Sequence, residues 1–162
     1  MCSILAVLDI PGDTTEHRER ALQLSRIQRH RGPDWSGVFS DDRTVLVHER
    51  LAIVDVVNGA QPLYNDDETR VLAVNGEIYN HQALEADLDE PYSFQTDSDC
   101  EVIIPLYEQR GTGFLDDLNG IFAFVLYDEE KGRWLIGRDP VGVVPLYWGR
   151  DAQGVLHVAS EM

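Results

Sequence analysis

Short apolar stretches punctuated by turn residues dominate the chain. Ile4–Leu8, Val71–Val74, Ile121–Tyr127, Arg133–Gly137, Leu146–Gly149 and Val155–Ala159 have strand length and are rich in β-branched or aromatic residues. Gly37–Phe39 and Val45–His48 predict a further strand pair joined at Asp41-Asp42-Arg43. Turns at Glu129–Gly132, Asp139–Gly142 and Asp151–Gly154 make the last strands antiparallel neighbours. Arg50–Val54 reads as extended with one cation at its head, and Asn58–Asn65 as a polar loop. Helical spacing is confined to three segments. The first is capped by Thr14 or Thr15 and runs to about Arg29, with Ala21, Leu24 and Ile27 on one face. The second covers about His81–Leu88. The third opens on a Ser98/Glu101 capping box and runs to about Gln109, with a kink expected at Pro105. Ile121–Leu126 is apolar on both faces, so its sheet needs cover on both sides. A second sheet on one side and helices on the other provide it. This predicts an α+β fold, a four-layer αββα sandwich of two antiparallel sheets between helical layers.

Composition narrows the function classes. The 162 residues suit one domain, and 43% hydrophobic content is enough for a core. A net charge of −16, from 29 acidic and 13 basic residues, argues against nucleic acid or an anionic membrane as partner. The basic cluster Arg18–Arg31 is interleaved with Glu16 and Glu19 and reads as a solvated helix face. The two cysteines, Cys2 and Cys100, show neither metal-type spacing nor a disulfide framework. The apolar run at the start is too short to span a membrane and has no basic segment before it. A cytoplasmic protein without a metal site is expected.

The candidate chemistry begins at Cys2. One proteolytic cut after Met1 would give a residue carrying both a thiol nucleophile and a free α-amine, a base of pKa about 7.7–8.0. Arg50 offers a planar fork for a carboxylate. Asn75 and Gly76 offer a side-chain amide and a bare backbone N–H for an oxyanion. Glu77 and Asp99 offer anions for an ammonium group. Together these describe a site for an α-amino acid with a reactive side-chain acyl group. Taken singly, each has a plainer reading: a frayed-end cysteine, a surface ion-pair arginine, an Asn-Gly turn and a helix-cap acid.

The chain resembles the glutaminase domain of the class II glutamine amidotransferases, which are N-terminal nucleophile hydrolases. The resemblance rests on Met1-Cys2, Arg31-Gly32-Pro33-Asp34, Arg50-Leu51-Ala52-Ile53-Val54-Asp55, Asn75-Gly76-Glu77-Ile78-Tyr79-Asn80, Thr96-Asp97-Ser98-Asp99, and Gly137-Arg138-Asp139 through Pro145-Leu146-Tyr147. The second and fourth of these resemble bacterial B-type asparagine synthetases; Ser3 replaces the commoner glycine. The resemblance implies that Cys2 attacks the side-chain amide of L-glutamine, forming a γ-glutamyl thioester, with Asn75 and the Gly76 N–H as oxyanion donors. It implies that Arg50 binds the α-carboxylate and that Asp99, with Glu77 or its backbone, binds the α-ammonium. Leu51, Ala52, Ile53 and Val54 would line the pocket. Arg31, Asp34, Arg138 and Asp139 read as structural supports. Residues 1–162 would form the whole glutaminase domain, needing no cofactor. ATP and Mg²⁺ would belong to a C-terminal synthetase domain that this chain lacks, and which would receive the ammonia. The alternatives are an amidotransferase domain with another acceptor and an idle regulatory or binding module of the same fold; a homodimer stays open.

Overall fold

The computed structural model describes residues 1–55 and 57–162. In chain order the elements are β1 (Ser3–Leu8), α1 (Thr15–Ile27), β2 (Trp35–Ser40), β3 (Thr44–Arg50), β4 (Leu63–Tyr64), β5 (Arg70–Ile78), α2 (His81–Ala86), α3 (Ile103–Arg110), β6 (Gly120–Asp128), β7 (Arg133–Arg138), β8 (Tyr147–Arg150) and β9 (Leu156–Ala159). One sheet has the order β2-β3-β1-β9-β8 and the other β4-β5-β6-β7. Every pairing is antiparallel.

Strand alternation assigns each residue to a layer. Ile4, Ala6, Leu8 and Leu46 of the five-stranded sheet meet Val71, Ala73, Val125 and Tyr127 of the four-stranded one, forming the core between the sheets. The intervening residues Leu5, Val7, Val45 and Val47 face outward and pack against Ala21, Leu22 and Leu24 of α1. On the far side, Leu72, Val74, Phe122, Phe124 and Leu126 pack against Ile103, Ile104, Leu106 and Tyr107 of α3 and against Phe114. The result is the expected αββα sandwich.

Several local expectations are corrected. Arg50–Val54 is not one extended run: β3 ends at Arg50 and the following residues form a loop. Asn75-Gly76 does not end its strand or make a turn, because β5 continues to Ile78, paired with Gly120. The polar loop contains the short strand β4. Ile27 is 70% exposed at the end of α1, and the buried positions are Ala21 and Ser25. Ser25 is drawn inward by its hydrogen bond to the buried carboxylate of Glu49. Thr14 occupies the N-cap of α1 but makes no side-chain capping bond; Asp13 Oδ1 instead accepts from the Thr15 N–H at 2.9 Å.

The segment after Ser98 begins as a 3₁₀ turn, Asp99–Val102, before becoming α-helical at Ile103. Pro105 therefore lies in the first turn of α3, where a missing N–H is tolerated. Ser98 caps as expected, accepting from the Cys100 N–H. Glu101 does not complete the box. It is fully buried and accepts instead from the Gln95 and Thr96 N–H groups at 2.7 and 2.8 Å.

Candidate active site

The space between the sheets closes with apolar side chains along most of its length and opens at one end. The same alternation that builds the core supplies the side chains at this opening. Cys2 continues the face of Ile4, Ala6 and Leu8. Arg50 continues that of Leu46 and His48. From the opposite sheet, Asn75 continues that of Val71 and Ala73. All three border one cleft at this open end. Cys2, Arg50, Leu51, Ile53, Val54, Asn75, Gly76, Glu77 and Asp99 all line it.

The Cys2 thiol is half-buried and held against Leu51. Sγ accepts from the Leu51 N–H at 3.3 Å and donates to its carbonyl at 3.6 Å. Burial raises its pKa above the usual thiol value, outweighing the Leu51 N–H, the positive chain terminus and Arg50. The resting sulfur is therefore a protonated thiol, and attack requires a base. Arg31 fixes the backbone, its Nε donating to the Cys2 carbonyl at 3.1 Å while Nη1 pairs with Glu161.

β4 pairs with β5 only at Leu63↔Leu72 and Tyr64↔Val71, so beyond Leu72 this edge of β5 lacks a strand neighbour. Side chains complete it. The Val74 N–H donates to Gln61 Oε1 at 2.8 Å, and Val74 O accepts from His48 Nε2 at 3.0 Å. Gly76 O accepts from Cys100 Sγ at 3.6 Å, and the Ile78 N–H donates to Asp99 Oδ2 at 2.7 Å. By alternation the Gly76 N–H lies on this same edge, and none of these four side chains takes it. A Cβ at Gly76 would sit 2.1 Å from the Ile121 carbonyl oxygen, so the residue must be glycine for β5 to approach β6 here.

Asn75 is 1% exposed, and its Nδ2 has no hydrogen-bond partner among the described residues. A buried donor left unsatisfied costs roughly 1–3 kcal/mol. The donor is thus available to a group bound in the cleft. The amide donor and the Gly76 N–H together offer two hydrogen bonds beside a thiol.

Arg50 and Asp99 bring opposite charges to the same cleft. Arg50 is buried, and the loop after β3 wraps its guanidinium, with Nη2 donating to the carbonyls of Val54, at 3.0 Å, and Asp55. Gly59 completes the wrap, since a Cβ there would lie 2.9 Å from Nη2. Asp99 is 8% exposed and is oriented by its bond from Ile78. Glu77 is exposed at the rim.

Ala52 is the one expected pocket residue that does not line this cleft. Its N–H is tied to Asp34 Oδ2 at 2.9 Å, and it borders a neighbouring groove with Trp35 and Val57. Asp34 and Arg31 thus act as supports, as do Arg138, donating to Val144 O at 2.6 Å, and the buried Asp139, accepting from Val143 and Val144 N–H groups. Gln61, Ser98, Cys100 and Ile121 also line the cleft without having been expected there. Gln61 lies in a polar loop where no periodicity marks it. Among the described residues, no group of three or more His, Cys, Asp or Glu side chains could hold a metal ion, and no helix is long and apolar enough to cross a membrane.

A cleft lined by a thiol, an amide donor and side chains of both charges, at one end of an αββα sandwich, can be set beside known proteins. The family model described as a glutamine amidotransferase domain matches residues 1–162, and the chain belongs to that family. It is 63% identical over its whole length to asparagine synthetase B (glutamine-hydrolysing) of Escherichia coli K12, of which it covers 29%. It is 51% identical to a probable glutamine-hydrolysing asparagine synthetase of Dictyostelium discoideum, again covering 29% of that protein. The chain thus spans less than a third of these relatives. Its fold superposes on the glutamine phosphoribosylpyrophosphate amidotransferase of B. subtilis with a TM-score of 0.75 at 22% identity, over 99% of this chain and 42% of that one.

Proposed function

We propose that the chain is the glutaminase domain of an asparagine synthetase, converting L-glutamine to glutamate and ammonia through a thioester on Cys2. The observation that carries this reading is the buried Asn75 Nδ2, without a partner among the described residues, in the cleft that holds the Cys2 thiol. Removal of Met1 would free the Cys2 α-amine, which has a pKa of about 7.7–8.0 and is partly unprotonated at neutral pH. The thiol proton passes to this amine as Sγ bonds to the side-chain amide carbon. Asn75 Nδ2 and the Gly76 N–H take the developing oxyanion. The ammonium so formed protonates the departing nitrogen, the C–N bond breaks, and ammonia leaves the thioester. Water, deprotonated by the same amine, then cleaves the thioester to glutamate and restores the thiol. Arg50 binds the α-carboxylate, and Asp99 with Glu77 the α-ammonium.

Every group these steps need lies in the chain, so we assign the domain no metal or organic cofactor. ATP and Mg²⁺ fall to a synthetase domain beyond this chain, which would activate aspartate and take the ammonia. A cytoplasmic setting accords with the two unpaired cysteines. The test is an assay of the chain with Met1 removed, given glutamine, aspartate, ATP and Mg²⁺ and scored separately for glutamate and asparagine. Glutamate without asparagine is expected. Asparagine from this chain alone would refute the division between two domains. Glutamine binding without glutamate release would make the chain a binding module.

A further inference from the structure

The α-carboxylate and α-ammonium of an amino acid share one carbon, so the groups that bind them must be held at a fixed separation. Here they come from different segments. Arg50 ends β3 and its guanidinium is enclosed by the loop that follows, whereas Asp99 belongs to the 3₁₀ turn before α3. One residue touches both segments. The Asp55 carbonyl accepts from Arg50 Nη2 and, at 3.0 Å, from the Gly59 N–H. Its Oδ1 accepts from the Asn58 N–H at 2.9 Å, closing the loop on itself. Its Oδ2 reaches across to the Asp97 N–H at 3.0 Å, two residues from Asp99. These contacts hold Asp55 at φ +45°, a left-handed conformation that aspartate tolerates better than most residues because its short side chain bonds locally.

We propose that Asp55 is a positioning residue that latches the loop around Arg50 to the segment carrying Asp99, and so sets the spacing with which the site recognises an α-amino acid. The inference rests on the glutaminase reading. It assigns Asp55 no contact with glutamine. Its carboxylate is held below the usual range chiefly by the Asp97 and Asn58 N–H groups, so the latch stays ionised at neutral pH.

Two substitutions separate the latch from a backbone role. Asp55→Asn keeps a tolerance for positive φ, but its one acceptor oxygen can serve only one of the Asn58 and Asp97 N–H groups. Asp55→Gly relaxes the backbone and removes both side-chain bonds. Both variants of the chain with Met1 removed should raise KM for glutamine by about tenfold, the scale for losing a hydrogen bond to a charged acceptor, with kcat within about twofold. Wild-type KM in Asp55→Gly would show that only the backbone conformation matters and would overturn the proposal. Arg50→Ala is measured in parallel. If it leaves KM unchanged, the clamp reading falls and the latch with it. If it raises KM and neither Asp55 variant does, the latch alone falls. With Arg50→Ala already in place, Asp55→Asn should add less than it does in the wild type; full additivity would give Asp55 a separate structural role and contradict the latch.

Discussion

The two ends of the space between the sheets are built on the same alternating faces and behave as opposites. In its interior, Ile4, Ala6, Leu8, Leu46, Val71, Ala73 and Val125 are at most 1% exposed and meet only apolar neighbours within this cluster. At the open end the same faces carry Cys2, Arg50 and Asn75: a thiol kept protonated by burial, a guanidinium held by loop carbonyls, and an amide donor with no partner among the described residues. The difference teaches that strand alternation alone brings these three residues to one end of the space between the sheets. Register places the backbones of Cys2, Arg50 and Asn75, and the loop after β3 then encloses the Arg50 guanidinium. Stability should therefore reside in one end and chemistry in the other.

The largest expected effect separates them outright. Cys2→Ala should abolish glutamine hydrolysis, with glutamine binding retained by calorimetry, because the clamp remains. Leu46→Ala should do the reverse, losing about 2–5 kcal/mol of stability to denaturant while the folded fraction keeps its KM. Asn75→Ala sharpens the contrast. It should lower kcat by about 10²–10³ and change KM for glutamine far less; an effect confined to KM would mean that Asn75 does not act on the developing oxyanion.

His48 lies between the two ends and tests the boundary through pH. Its imidazole is fully buried, donates from Nε2 to Val74 O, and leaves Nδ1 without a partner among the described residues. Burial lowers its pKa from 6.5 to about 4. The unfolded chain therefore takes up a proton that the folded one refuses between those values. This contribution is whole above pH 6.5 and is lost as pH falls to about 4, by on the order of 3 kcal/mol. Chemical denaturation across that window should show the slope in the wild type and a smaller one in His48→Gln. An unchanged slope would remove His48 as its source.

The smallest effect concerns the other thiol. Cys100 is buried and its pKa is raised well above 9.0, chiefly by burial and then by Asp99, so it stays protonated and cannot replace Cys2. Cys100→Ala should change kcat by less than about twofold; a larger fall would mean that its weak contact with Gly76 O helps hold the oxyanion donors.

Much of this was legible in the residues. The apolar runs located most strands because β-branched stretches bounded by turns have few other fates. Cys2, Arg50, Asn75, Gly76 and Asp99 were singled out by chemical type, and all five line one cleft. What escaped reading depends on contacts between distant segments. Asn75-Gly76 has the composition of a turn, and only pairing with Ala123 and Phe122 keeps it in a strand. Ala52 sits in an apolar run, yet its N–H is claimed by Asp34, 18 residues earlier. Gln61 and Asp55 each reach a distant segment, at Val74 and Asp97, by a hydrogen bond that no spacing along the chain announces.

The central claim is that Cys2 is both nucleophile and, through its own α-amine, base. The most direct measurement compares two preparations of this chain, one shown by intact mass to begin at Cys2 and one retaining Met1, whose peptide bond turns that amine into an amide. Glutamine turnover should be confined to the first, with glutamate and ammonia released in equal amounts. Equal turnover by the chain that keeps Met1 would contradict the account.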